Sequence, residues 1–298
     1  MKSVIVTGAA GFAGCNLVEM LMKKDYFVYA VVRPDSAHNF RLLESNRLKI
    51  IECRMQDYNE LHRYIEGPCD ALYHLAWQAG GFKEQKQCIA FSIEALKAAK
   101  RIGCKRFIGA GTQAEYGPQK GLITENICPN PTTAYGASKL AACVLTRQLA
   151  NDLEIEWVWG RIFSLYGKYE PYGRMLPDLI KALKRDDEFH LSAATQNWDY
   201  LYSSDGAEAL IALGEKGKDG EIYNVANGDF HPLKYFTEEI RKLIAPNGNL
   251  LYGEEVVNAT SLQVSVDKIY KDTGWRAQIE FKKGIAMTNK YLSDIEKV

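Results

Sequence analysis

The chain has 298 residues, 47% hydrophobic and 25% charged, the balance of a folded globular protein able to bury a large core. Its 37 basic and 37 acidic side chains cancel, which excludes a net field favouring nucleic acid or an anionic membrane and leaves any small anionic ligand to local cations. No apolar run reaches the length of a bilayer span; the seven cysteines lack Cys-x-x-Cys spacing and the five histidines lack metal-ligand spacing, which predicts buried reduced thiols in a cytosolic protein and no metal site.

The chain reaches a glycine turn by residue 8, which predicts a protein without a secretory leader. Residues 3–7 read as a buried strand, and 12–23 as a helix with Leu17, Val18, Leu21 and Met22 on one face. Between them Gly8, Gly11, Phe12, Ala13 and Gly14 form a strand-to-helix turn. Glycine there lets a pyrophosphate approach the backbone, and the helix start offers it free N–H groups and a partial positive charge. This predicts a nicotinamide dinucleotide site.

A second strand at 27–32 ends in Val31-Val32-Arg33-Pro34, with no acid before Asp35. An NAD-selective site usually carries an acid here for the ribose hydroxyls, whereas the Arg33 guanidinium suits a 2′-phosphate. NADP(H) is therefore favoured over NAD(H). Further strands are predicted at 48–51, 70–75 and 105–110, with helices near 57–66 and 84–101. This alternation implies right-handed crossovers and a Rossmann-type, doubly wound parallel α/β sheet.

Thr112 lies just past the 105–110 strand, where its hydroxyl could bond a reacting oxygen. A helix over 134–150 opens with Tyr135 and Lys139. Four residues apart on a helix, the phenol and ammonium share a face, and the ammonium would lower the phenol pKa for proton transfer near neutrality. Tyr116 and Lys120 have the same spacing, but Pro118 between them argues against a helix. A strand follows at 154–161. Beyond about 167 the pattern is irregular: a helix near 175–185, a strand at 200–202, a helix at 205–214, a strand at 222–225, then short helices and loops. Residues 1–167, with 195–227 returning to them, are read as the dinucleotide domain and 168–298 as a substrate lobe.

Together Thr7-Gly8-x-x-Gly11-Phe12-x-Gly14, His74-Leu75-Ala76, Thr112 to Gly117, Tyr135-x-x-x-Lys139, Arg161-x-x-x-x-Tyr166-Gly167 and Thr273-Gly274-Trp275 resemble the extended short-chain dehydrogenase/reductases, in their nucleotide-sugar epimerase/dehydratase branch. The resemblance implies that Thr112, Tyr135 and Lys139 are catalytic, and that Leu75, Ala76, Ile162 and Phe163 lie along the cofactor. Met55 stands near where relatives place an adenine-facing Asp. Gln113, Ser164 and Trp198 would contact substrate, and 168–200 would enclose a nucleotide diphosphate. The helices at 84–101 and 134–150 would pair into a homodimer.

The departures sharpen this. Dehydratases place Asp-Glu after the threonine, but Gln113-Ala114 stand here, which argues against dehydration. Ser164 replaces a usual Asn and Trp198 a usual Arg, leaving Lys168 and Arg174 as candidate diphosphate contacts. The leading reading is NADPH-dependent reduction of a nucleotide-linked 4-keto-6-deoxy sugar, with Tyr135 protonating the alkoxide and Thr112 polarising the oxygen. The alternative is an NAD-retaining nucleotide-sugar 4-epimerase. A non-catalytic dinucleotide sensor is the third reading, although it would be expected to lack Tyr135 or Lys139.

Overall fold

The computed structural model describes residues 2–255 and 261–295; positions 256–260 and 296–298 of the expected C-terminal lobe lie outside the described residues. Strand β1 (Ser3–Thr7) buries Val4 and Val6 in one core and Ile5 in another, as a strand between two helical layers must. Six further parallel strands follow: β2 (Phe27–Val32), β3 (Leu48–Glu52), β4 (Ala71–His74), β5 (Arg106–Thr112), β6 (Glu156–Ile162) and β7 (Glu221–Val225). They run β7-β6-β5-β4-β1-β2-β3 across one seven-stranded sheet. The order changes direction between β1 and β4, so the carboxyl ends of these strands open a ligand crevice.

The helices are α1 (Phe12–Lys23), α2 (Phe82–Ile102), α3 (Ala134–Leu153), α4 (Met175–Lys184), α5 (Ser203–Lys216), α6 (Leu233–Ile244), α7 (Asp267–Thr273) and α8 (Phe281–Ile295). Leu17, Val18 and Leu21 of α1 and Leu210, Ile211 and Leu213 of α5 cover the Val4/Val6 face. Ala95, Leu96 and Ala99 of α2 and Ala142 and Cys143 of α3 cover the Ile5 face, where small side chains let the helices sit close to the sheet. A third core joins α4, α6 and α8 through Leu179, Ile180, Phe236, Ile240, Ile285 and Leu292. An aromatic row ties it to the first lobe: Tyr166 to Tyr200 at 5.8 Å, Tyr200 to Phe236 at 5.1 Å, and Phe236 to Phe281 at 4.7 Å between ring centres.

Three expectations need correction. The segment near 57–66 is a 3₁₀ helix over Met55–Tyr64, whose buried Tyr58 and Leu61 stand three apart, the period of that helix. The region predicted as short helices and loops contains the 12-residue α6 and the 15-residue α8. All seven cysteines are unpaired and six are buried, but Cys128 is exposed. Among the described residues, no helix is long and apolar enough to cross a membrane, and no group of three or more His, Cys, Asp or Glu could hold a metal ion.

Candidate active site

The turn between β1 and α1 is shaped for a phosphate. Gly8 adopts φ +68, and a Cβ there would lie 2.8 Å from Ala76 Cα. A Cβ on Gly14 would collide with the carbonyl oxygen of Gly8. α1 starts at Gly11 without a side-chain cap and has no acid in its first turn, so its first N–H groups stay available. A Cβ-free cradle facing uncapped N–H donors fits the pyrophosphate of a dinucleotide. His74 braces the strand ends above it, with its ring nitrogens 2.9 Å from Thr7 Oγ1 and 3.0 Å from Ser92 Oγ. Burial pushes its pKa down to about 3, so the ring is neutral.

A cavity of about 670 Å³ opens beside this turn. Its walls bring together Phe12, Ala13, Leu75, Thr112, Gln113, Tyr135, Lys139, Ile162, Phe163, Ser164, Arg174 and Trp198, all named from sequence. Gly8, Gly11 and Gly14 belong to the turn beside it, and Ala76, past β4, packs against Gly8. Arg33 is exposed past β2, and Met55 packs into the core beneath the sheet. Lys168 does not line the cavity: its ammonium faces Glu19 of α1 at 3.3 Å.

Local packing brings the reactive groups together. Thr133 caps α3 by accepting from Gly136 N at 3.0 Å. A Cβ on Gly136 would strike the Ala114 carbonyl, so α3 can start hard against the 113–115 turn that carries Thr112. Tyr135 thus faces the Thr112 hydroxyl. Burial raises the phenol pKa, and Thr112 and Arg174 pull it partly back. Lys139, expected to be the activating charge, donates to Ala110 O at 2.7 Å and lies 3.9 Å from the centre of the Trp77 ring. Its own pKa is pushed down to about 8 by burial, with Glu115 opposing that shift. Tyr116 is fully buried and donates to Asn224 Oδ1 at 2.7 Å, which removes the competing Tyr-Lys pair from the cavity.

Three residues that the sequence reading passed over belong to the site. Glu115, inside the quoted Thr112–Gly117 stretch, is fully buried; its carboxylate accepts from Thr112 N at 2.9 Å, Trp159 Nε1 at 3.0 Å and Arg161 Nε at 2.8 Å. Trp77 directly follows the His74-Leu75-Ala76 anchor. Glu170, in the Tyr/Gly/Pro-rich segment, lines the cavity beside Tyr200 and accepts from Gly167 N at 3.4 Å. Burial pushes its carboxyl up to about 7 despite Arg174 nearby. Among the described residues the buried indole N–H of Trp198 has no partner, leaving a donor for a ligand acceptor.

The model of the NAD dependent epimerase/dehydratase family matches residues 4–226. The dTDP-D-glucose 4,6-dehydratase of Homo sapiens is 24% identical over 311 aligned positions, covering 96% of this chain and 89% of that protein. The crystal structure of UDP-glucose 4-epimerase from Thermotoga maritima with UDP-glucose has a TM-score of 0.88 at 22% identity, covering 99% of both chains. UDP-glucuronic acid 4-epimerase from Bacillus cereus, in complex with UDP-glucuronic acid and NAD, has a TM-score of 0.85 at 22% identity, covering 98% of this chain and 99% of that one. These structures share the fold.

Proposed function

The chain belongs to the NAD dependent epimerase/dehydratase family, and on that premise we propose that it is an NADP(H)-dependent reductase of a nucleotide-linked 4-keto-6-deoxy sugar. The observation that carries this reading is the end of β2, where Arg33 stands and no carboxylate precedes Asp35. Arg41 strengthens it: its guanidinium donates to Ala10 O of the glycine turn at 3.3 Å, and its buried Nε has no partner among the described residues. Residues 1–167 with 195–227 would hold the dinucleotide, and 168–298 the sugar nucleotide. The unpaired thiols suit the cytosol.

When bound, the dinucleotide supplies hydride. In this reading the protein's own groups act on the substrate oxygen. Thr112 donates a hydrogen bond to it, Tyr135 delivers the proton, and the Lys139 ammonium favours the phenolate left behind. Gln113 and Ala114 offer no acid or base for water elimination. Glu115, the next carboxylate, has both oxygens occupied. The test follows absorbance at 340 nm with NADPH and dTDP-4-keto-6-deoxyglucose. Stoichiometric NADPH oxidation supports the reading; epimerisation of a nucleotide sugar with no net cofactor change contradicts it. That second outcome is a 4-epimerase, the reading that the likeness to NAD-bound 4-epimerases favours.

Two predictions follow from the site's surroundings. Glu170 gains its charge as pH rises through about 7, placing a negative group beside an anionic diphosphate. The KM for the sugar nucleotide is expected to rise several-fold between pH 6 and 8, and Glu170→Gln to flatten that rise; an unchanged slope in the variant contradicts it. We also read the outer face of α2 and α3 as a homodimer interface, because Phe82, Val144 and Leu145 are 73%, 50% and 47% exposed. Light scattering should find a dimer for the native chain and a monomer for Val144→Asp/Leu145→Asp; a native monomer would rule out the interface.

A further inference from the structure

Lys139 is 4% exposed, and among the described residues no carboxylate lies within ion-pair distance of its ammonium. A buried ammonium without a counter-charge is costly, so something else must hold it. One N–H donates to Ala110 O at 2.7 Å. The Trp77 ring takes the other side, its centre 3.9 Å from Nζ. The ring is itself fixed: Trp77 Nε1 donates to Gln85 Oε1 at 2.7 Å, and the 4%-exposed Gln85 returns its amide to Gln78 O at 3.0 Å and Gly80 O at 3.3 Å. Trp77 also meets the Tyr135 ring edge-on, with centres 6.2 Å apart and planes at 82°.

We propose that Trp77 is a positioning residue for Lys139: its indole face replaces the carboxylate that a buried ammonium would otherwise need, and its edge confines the Tyr135 ring beside it. The proposal rests on reading Tyr135 and Lys139 as the catalytic pair. A π-face suits this place better than an acid. It stabilises the ammonium without accepting its proton and without setting an anion where an alkoxide or phenolate must form.

Of the other titratable groups around Lys139, Glu115 favours the ammonium only from beyond ion-pair distance. His74 on β4 is neutral, Cys88 on α2 accepts from Gln78 N at 3.3 Å, and Glu115 after β5 is bound to Arg161. Tyr135 is the remaining neighbour, on the same helix. Removing the indole therefore removes a stabiliser of the charged form, and the Lys139 pKa must fall further.

The test labels the protein with [¹³Cε]lysine, assigns Lys139 by its loss in Lys139→Arg, and titrates the native chain, Trp77→Phe and Trp77→Leu by NMR. Trp77→Leu is expected to lower the Lys139 midpoint by about one pH unit, while Trp77→Phe keeps most of it. In turnover, the alkaline limb of kcat should move down by the same amount with the sugar-nucleotide KM within about twofold. An unmoved midpoint in Trp77→Leu overturns the proposal. If that variant does not fold, Gln85→Leu, which frees the indole, carries the same expectation on a smaller scale, and no shift there overturns it too. The lysine titration needs no substrate, so an inactive native chain with a Trp77-dependent midpoint sinks the reductase reading and leaves this one standing.

Discussion

Tyr135→Phe is expected to lower kcat by about 10²–10⁴-fold while leaving dinucleotide affinity within about twofold. The ring stays, so its edge contact with Trp77 and its place at the head of α3 survive. What disappears is the phenol that faces Thr112, the proton donor in the proposed reaction. Stopped-flow turnover together with a fluorescence titration of cofactor separates the two effects. Turnover within tenfold of the native rate would mean that another group moves the proton, and the mechanism would fail.

The second large effect is on stability. Glu115→Ala is expected to cost about 3–5 kcal/mol, because it leaves Arg161, 2% exposed, as an uncompensated buried charge. The same change strips acceptors from Thr112 N and Trp159 Nε1. Thermal unfolding followed by tryptophan fluorescence should show a melting temperature lower by roughly 10 °C. The double variant Glu115→Leu/Arg161→Met should recover much of that loss, since it removes both charges. A single variant as stable as the native chain would show that the pair does not hold β5 against β6. Activity should fall with stability in Glu115→Ala, because the carboxylate fixes the Thr112 backbone at the cavity wall.

How far the sequence foretold this depends on how local each signal is. The parallel sheet was legible because β-branched runs such as Phe27–Val32 alternate with amphipathic stretches such as Phe12–Lys23. The phosphate turn was legible because glycines at fixed spacing follow a strand within eight residues of the start. α6 was readable in principle: Leu233, Phe236, Thr237 and Ile240 keep helical spacing, yet Lys and Glu around them lower the mean hydropathy. α8 was harder, because Gly284 stands near its start, where the Tyr166 hydroxyl leaves no room for a Cβ.

Side-chain partnerships between distant segments were not legible. Nothing local marks Glu115 as buried until Arg161, 46 positions away, is brought against it. Nothing in the Tyr135-x-x-x-Lys139 spacing shows that the Trp77 ring packs on the ammonium. Lys168 reads as a candidate diphosphate contact, and nothing along the chain shows that α1 sets Glu19 3.3 Å from its ammonium. In each case the decisive neighbour comes from a distant segment, and spacing along the chain carries no trace of it.

Fluorescence titration of the purified protein with NADPH and NADH, alongside mass spectrometry of any cofactor carried through purification, separates reductase from epimerase. A reductase set by Arg33 and Arg41 should purify with an empty site and a clear preference for NADPH. Tightly retained NAD, with little affinity for NADPH, would contradict it and give the site to epimerisation.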